Sequence, residues 1–148
     1  MQANGADVTR VAASPADDVV ADWSGPANRM VFEARRESAE FQIYTMRPDG
    51  ADVLRLTHTP ARNDHPDWSP DGQHIVFVSE RDGNPEIYVM NPDGADQRRL
   101  TTSLGRVSAP NGSPDGKLIL FAGSISNWGQ VLGAFPVAPL WIARTARL

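Results

Sequence analysis

The stretch from Ser69 to Thr101, SPDGQHIVFVSERDGNPEIYVMNPDGADQRRLT, decides the fold of this chain. It contains two Pro-Asp-Gly turns, in which proline presets φ and glycine accepts the left-handed exit. Between the turns lie two runs rich in β-branched and aromatic residues, 74–79 and 86–90, separated by a polar break. This pattern predicts antiparallel strands joined by short turns.

The same pattern occurs three times along the chain. Residues 46–52, MRPDGAD, match residues 90–96, MNPDGAD, at an offset of 44 residues. The Asp-Trp-Ser sequence that begins at Asp22 recurs at Asp67, and Asn111-Gly112-Ser113 is a decayed copy of it. A repeat of about 44 residues has the size of a propeller blade with four strands. The sequence therefore predicts an all-β chain of three four-stranded antiparallel propeller blades.

The middle unit resembles the PD40 repeat, a WD40-like propeller repeat found in the bacterial TolB-like proteins. The first unit departs from the motif at its turn, residues 25–28, and the third unit has Gly112 where the motif has tryptophan. The resemblance implies a six-bladed ring, of which three blades are half. The motif residues that carry the resemblance are Asp22, Trp23, Asp67, Trp68, Ser69, Pro70, Asp71, Gly72, Pro92, Asp93, Gly94, Ser113, Pro114, Asp115 and Gly116.

Three blades are too few to close a ring, which needs about four. We expect blade units at approximately 13–57, 58–101 and 102–148, with residues 1–12 as the outer strand of a neighbouring blade, and no room for an outer strand in the third unit. Two explanations stay open. Two copies self-associate and each N-terminal strand completes the third blade of the other copy, giving six blades, or the chain is a piece of a longer propeller.

Composition excludes several classes of function. A net charge of −4 with scattered basic residues argues against nucleic-acid binding, and no apolar run approaches the ~20 residues of a membrane span. The absence of cysteine excludes disulfides and thiolate chemistry. The N-terminus lacks the layout of a secretory signal. The resemblance implies a periplasmic location, and a chain without an export signal would be cytoplasmic.

We expect no catalysis, no cofactor and no metal site. No G-x-S-x-G elbow and no EF-hand calcium loop occurs in the sequence. Asn63, Asp64 and His65 enter the innermost strand of the middle unit, which lines a propeller channel, so they are candidate partner-binding residues. One histidine and one aspartate fall short of a tetrahedral metal set unless symmetry doubles them. Asp22 and Asp67 are expected to bond backbone donors instead of acting as acid and base.

The third unit carries an insertion. Phe77 to Tyr88 spans 11 residues, whereas the equivalent Phe121 to Trp141 spans 20. The inserted segment, residues 124–139, is apolar and contains Trp128 and Phe135. Inserted loops on propellers gather on binding faces, which makes these two aromatic residues candidate partner-binding residues. The alternative is that the loop folds over the third blade or packs at a self-association seam.

The expected function is a non-catalytic propeller scaffold for protein–protein binding, of the cell-envelope type that the TolB resemblance implies, with a protein partner whose identity the sequence does not reveal. The alternative is an accessory propeller segment of an enzyme, such as a serine peptidase or a lyase, whose catalytic residues lie outside this chain. A truncated product without independent function is the third interpretation.

Overall fold

The computed structural model describes residues 10–12, 14–102, 105–124 and 140–144. Eleven strands lie within these residues, and no helix among them is long and apolar enough to cross a membrane. The strands are β1 (Asp18–Ser24), β2 (Arg29–Ala34), β3 (Gln42–Met46), β4 (Leu54–Arg55), β5 (Asn63–Trp68), β6 (Ile75–Ser79), β7 (Glu86–Met90), β8 (Arg98–Arg99), β9 (Arg106–Gly112), β10 (Leu118–Ser124) and β11 (Leu140–Arg144).

The strands form three sheets in which each strand pairs antiparallel with its neighbour in sequence. The first sheet has the order β1-β2-β3-β4 and the second sheet the order β5-β6-β7-β8. The third sheet has the order β9-β10-β11 in the described residues. The prediction of an all-β chain with antiparallel four-stranded sheets is confirmed for the first two sheets. Each sheet lies within one of the expected units, and the boundaries of the units stay a prediction. The outer strand expected at residues 1–12 also stays a prediction, because only residues 10–12 of it are described.

The strand register places equivalent residues of the repeat at equivalent positions. Phe32 pairs with Tyr44 in the first sheet, and Phe77 pairs with Tyr88 in the second. In the third sheet the backbone of Phe121 pairs with that of Trp141. The insertion in the third unit therefore lies between β10 and β11, in a connection that has seven residues (35–41) in the first sheet and six (80–85) in the second.

Each innermost strand contains a β-bulge, where its pairing register shifts. The bulged residue has a left-handed backbone in all three strands: Val20 at φ 46°, His65 at φ 50° and Ala109 at φ 48°. A bulge increases the local twist and re-aims the following side chains. Because three different side chains adopt the same backbone, the conformation belongs to the repeat and not to a special role of His65.

The three sheets pack on one another in chain order. The first sheet contributes Val31, Ile43 and Leu56 to an apolar cluster with residues of the second sheet, among them Trp68 and Phe77. The opposite face of the second sheet packs on the third through a second cluster, formed by Val76, Ile87, Val89, Val107, Ile119 and Phe121. Successive residues of a strand point to opposite faces, so alternate side chains of β6 serve the two neighbouring sheets. This arrangement explains why strands β6 and β7 are buried along their whole length. Strand β3 is buried too, with Tyr44 and Met46 in a third cluster that includes Phe32.

Candidate functional site

The aspartates before the two motif tryptophans join neighbouring sheets. The Oδ2 atom of Asp22 accepts the backbone N–H of Trp68 at 2.8 Å, and Oδ2 of Asp67 accepts the backbone N–H of Gly112 at 2.8 Å. Both carboxylates thus bond backbone donors, and in both cases the donor lies in the next sheet. A hydrogen bond to a charged acceptor contributes roughly 1.5–3 kcal/mol, so these contacts help to hold the stack together.

The two carboxylates lie at one end of the innermost strands and interact with each other. Burial raises the pKa of Asp67 to about 6, the N–H of Gly112 opposes this shift, and the charge of Asp22 adds to it. Asn111 occupies in the third sheet the position of Asp22 and Asp67, and its side-chain Nδ2 lies 3.4 Å from Oδ1 of Asp67. A cavity of about 220 Å³ opens beside these groups. A carboxyl with a pKa near 6 can hold or release a proton at neutral pH.

The other polar residues of the motif build turns. The Ser69 hydroxyl donates to Oδ1 of Asp71 at 2.6 Å and accepts the backbone N–H of His74 at 2.9 Å. Ser113 and Asp115 repeat the contact at 2.6 Å in the third sheet. The motif serines therefore use their hydroxyls within the turn, which accounts for the Ser-Pro-Asp-Gly pattern without any chemistry on a substrate.

Of the three residues predicted to bind a partner on β5, the structure buries two. The Asn63 side chain is fully buried and donates to Gln42, Thr59 and Ala61, while its Oδ1 accepts a hydrogen bond from Arg81 at 3.2 Å. The Asp64 carboxylate is buried too. Only His65 presents a substantial part of its side chain to solvent, with 35% of it exposed.

His65 lies in a cluster of charged side chains between the first and second sheets. Its backbone N–H donates to Oε2 of the buried Glu33 at 2.5 Å, and its Nδ1 lies 3.1 Å from Oδ1 of Asp64. The contact with Asp64 raises the pKa of His65 against the opposing effect of burial. Burial raises the pKa of Glu33. Nε of Arg62 donates to the other Asp64 oxygen.

A cavity of about 250 Å³ adjoins this cluster where the second sheet meets the third. Its lining includes His65 and three charged residues that the sequence did not single out, Arg62, Glu80 and Arg106. A polar recess with both signs of charge suits the side chains of a protein or peptide better than it suits a nucleic acid. Arg106 belongs to the third sheet and follows Arg62 by one repeat in the sequence, so the recess forms only when the second and third sheets pack together.

Two sequence predictions remain, the partner-binding role of the insertion and the expectation about metal binding. Trp128 and Phe135 lie outside the described residues, so their role in partner binding stays a prediction. Within the described ranges, no three histidine, aspartate or glutamate side chains converge as a metal site would require.

Comparison with known proteins finds similarity to TolB propellers both in sequence and in fold. The family model described as the TolB beta propeller domain, PD40, matches residues 2–133. The chain is 33% identical to a putative TolB from Agrobacterium tumefaciens, with a TM-score of 0.68, over 77% of this chain and 40% of that one. It is 27% identical to TolB from Acinetobacter baumannii, with a TM-score of 0.65, over 73% of this chain and 27% of that one.

More distant structures share the fold alone. An acylaminoacyl peptidase from Pyrococcus horikoshii is 15% identical, with a TM-score of 0.60, over 88% of this chain and 23% of that chain. No curated protein matches the sequence significantly. The chain spans less than half the length of each of these solved structures. The family model covers most of the sequence, and the repeat register in the structure agrees with it. The chain therefore belongs to the TolB β-propeller family of PD40 repeats.

Proposed function

We propose that this chain is a non-catalytic propeller segment that acts as a scaffold for protein binding. The observation that carries the proposal is that the polar side chains of the repeat motif make hydrogen bonds within the fold. Asp22 and Asp67 bond the backbone of the next sheet, and Ser69 bonds its own turn. Carboxylates and a hydroxyl are groups that a hydrolytic site uses, and in these three residues they are engaged in hydrogen bonds of the fold.

The recess beside His65 is the proposed binding site for a protein partner. It combines a half-exposed histidine with arginine and glutamate side chains on a rigid strand framework. Such a surface can pair with charged groups of either sign on a partner. The insertion at residues 124–139 belongs to the same proposal as a second contact region, through Trp128 and Phe135.

The proposal includes the assembly and the location that the family implies. Two copies would complete a six-bladed ring by self-association, with units at approximately 13–57, 58–101 and 102–148. The scaffold would work in the bacterial cell envelope. Sedimentation velocity of the pure chain tests the assembly: a particle with twice the mass of the chain supports it, and a stable folded monomer overturns it.

The binding site is tested by photo-crosslinking in the bacterium that encodes the protein. A photoreactive amino acid replaces His65 in one strain and Gln73, an exposed turn residue of the same sheet, in another. We expect a discrete crosslinked protein at position 65 that is missing at position 73. The same products at both positions, or none at either, would contradict the binding site. Peptidase or esterase turnover abolished by Asp67→Asn would contradict the non-catalytic role.

A second candidate function is an accessory segment of an enzyme. The similarity to the peptidase from Pyrococcus horikoshii favours it, since that alignment covers more of this chain than either TolB alignment does. The full gene sequence distinguishes the two candidates. An α/β-hydrolase domain encoded in frame after Leu148 would support the accessory role, and its absence would leave the scaffold.

A further inference from the structure

Two tryptophans at the same position of the repeat differ sharply in exposure. The register pairs Trp23 with Met30 in the first sheet and Trp68 with Ile75 in the second. Trp68 is 5% exposed because it packs against the first sheet, whereas Trp23 is 48% exposed. In the described residues no sheet packs against the first sheet in the way that the first packs against the second.

The rest of this face has the composition of a sheet-to-sheet contact. We call it the Trp23 face; it consists of Trp23, Met30, Phe32, Tyr44 and Met46. These residues are equivalent, by register, to the second-sheet residues Trp68, Ile75, Phe77, Tyr88 and Met90, all of which belong to the cluster shared with the first sheet. Phe32, Tyr44 and Met46 are themselves only 2–4% exposed, in a cluster against which Ala12 and Met30 pack, so Trp23 is the side chain of this face that lies largely in solvent. A half-exposed tryptophan beside an apolar cluster is a usual mark of an interaction surface.

A backbone contact repeats at the edge of this face. A Cβ atom placed on Gly94 would lie 2.8 Å from the carbonyl oxygen of Leu56, where the chain leaves the first sheet for the second. A Cβ atom placed on Gly50 would lie 2.0 Å from the carbonyl oxygen of Val11. Val11 thus crosses the first sheet as Leu56 crosses the second. Residues 10–12 therefore run beside the first sheet as the link at Leu56 runs beside the second.

The far end of the stack has the complementary half of the same contact. Leu120 pairs with Asn111 as Val31 pairs with Asp22, so Leu120 stands at the position of Val31. Val31 is fully buried against the second sheet, and Val76 at the same position is buried against the third. Leu120 is 40% exposed. The chain therefore presents one half of a blade contact on its first sheet and the other half on its third.

We propose that the third sheet of one copy docks on the Trp23 face of a second copy, with Leu120 packing beside Trp23 of that copy. Asn111 stands where Asp22 and Asp67 accept a backbone N–H of the next sheet, so its amide oxygen would accept the N–H of Trp23 in the second copy. The inference rests on the proposed self-association and specifies its two surfaces. Head-to-tail contacts of this kind close when the rotation between copies closes a ring.

The test compares two interface variants with a matched control. Trp23→Ala and Leu120→Asp each remove one half of the contact, and Leu54→Asp places the same charge on a leucine of similar exposure on the outer strand β4. We expect the first two to raise the dissociation constant of the dimer by about 30-fold per contact, the factor for an interfacial tryptophan. Leu54→Asp should sediment as the native dimer. Circular-dichroism melts establish that each variant folds.

Mixing the two interface variants identifies the pairing. In a mixed dimer, Leu120 of the Trp23→Ala copy meets Trp23 of the Leu120→Asp copy, so one of the two contacts is intact. We therefore expect the mixture to associate more tightly than either variant alone. No gain on mixing, or a wild-type monomer at micromolar concentration, overturns the inference. A crosslinked partner at position 65 would still stand in that case, so failure of the docking and failure of the scaffold proposal are distinguishable.

Discussion

The Asp67 carboxylate accepts the backbone N–H of Gly112 at 2.8 Å across the boundary between the second and third sheets, 45 residues further along the chain. Asp22 makes the same contact with Trp68 one sheet earlier. The motif aspartate is thus a connector between sheets, and its properties decide how firmly the stack holds. Because burial raises the pKa of Asp67 to about 6, the strength of this connection depends on pH.

We expect Asp67→Asn to stabilise the protein at pH 7.5 and to have little effect near pH 4. A folded-state pKa above the unfolded value means that the stability from Asp67 is present below about pH 4 and is lost as the pH rises through about 6. Asparagine keeps an acceptor for Gly112 and removes the charge that faces Asp22. Allowing for solvent screening of this half-buried group, the gain is about 1 kcal/mol. Urea unfolding between pH 4 and 8 measures it.

Two further variants test the reason for this effect. Asp93→Asn changes an exposed turn aspartate that also accepts a backbone N–H, from Ala95 at 2.9 Å, and should give no such pH-dependent gain. Asp67→Ala leaves Gly112 without its acceptor and should destabilise the protein at every pH, by about 1–3 kcal/mol. If Asp67→Asn were destabilising at pH 7.5, burial and the charge of Asp22 would not disfavour the ionised Asp67 carboxylate in the folded state.

We expect Ala109→Gly to stabilise the protein by about 0.5–1 kcal/mol. Ala109 occupies the bulge of β9 with φ at 48°, a conformation that costs a residue with a Cβ atom roughly 1–2 kcal/mol. Glycine removes this strain, but it also raises the conformational entropy of the unfolded chain, which offsets part of the stabilisation. The matched control is Ala122→Gly in β10, where the residue does not have a left-handed backbone, so the substitution should destabilise by a similar amount. Thermal melts of both variants decide the sign.

The repeat made the sheets predictable, because turn residues and apolar runs recur at fixed spacing. The pairing of Phe77 with Tyr88, for example, has the same register as the pairing of Phe32 with Tyr44 one repeat earlier. The bulge was not predictable from sequence, since valine, histidine and alanine occupy it in the three sheets. The donor that meets Asp22 lies 46 residues away, in a sheet whose placement depends on packing. For the same reason the recess near Arg106 had no signal in the sequence.

Asn63→Ala is expected to destabilise the fold by about 2–4 kcal/mol, because Asn63 joins the first two sheets and is fully buried. Its removal leaves both Gln42 and Arg81 without one of their hydrogen bonds, and buried groups without partners are costly. Asn84→Ala, in an exposed turn of the second sheet, is the control and should change the free energy of unfolding by less than about 0.5 kcal/mol. Equal losses in the two variants would remove Asn63 from the sheet contact.

His65 should titrate above the usual value of histidine, because the Asp64 carboxylate, whose Oδ1 lies 3.1 Å from its Nδ1, raises its pKa. The carboxylate favours the protonated ring, and the charge of Glu33 acts in the same direction. The stability that His65 contributes is therefore present below its unfolded pKa of about 6.5 and is lost as the pH rises through the higher folded value. An NMR titration of the ring protons measures the midpoint, and His65→Gln assigns the resonance by its loss.

The decisive variant for this cluster is Asp64→Asn. It removes the charge beside Nδ1 while keeping a side chain of the same shape, so the His65 midpoint should fall toward or below the value of a free histidine. Burial, which lowers the pKa of His65, would then act unopposed by its main partner. A midpoint that stays unchanged would mean that Asp64 is paired only with Arg62. The charge at the mouth of the proposed binding recess would then be set by the arginine and not by the histidine.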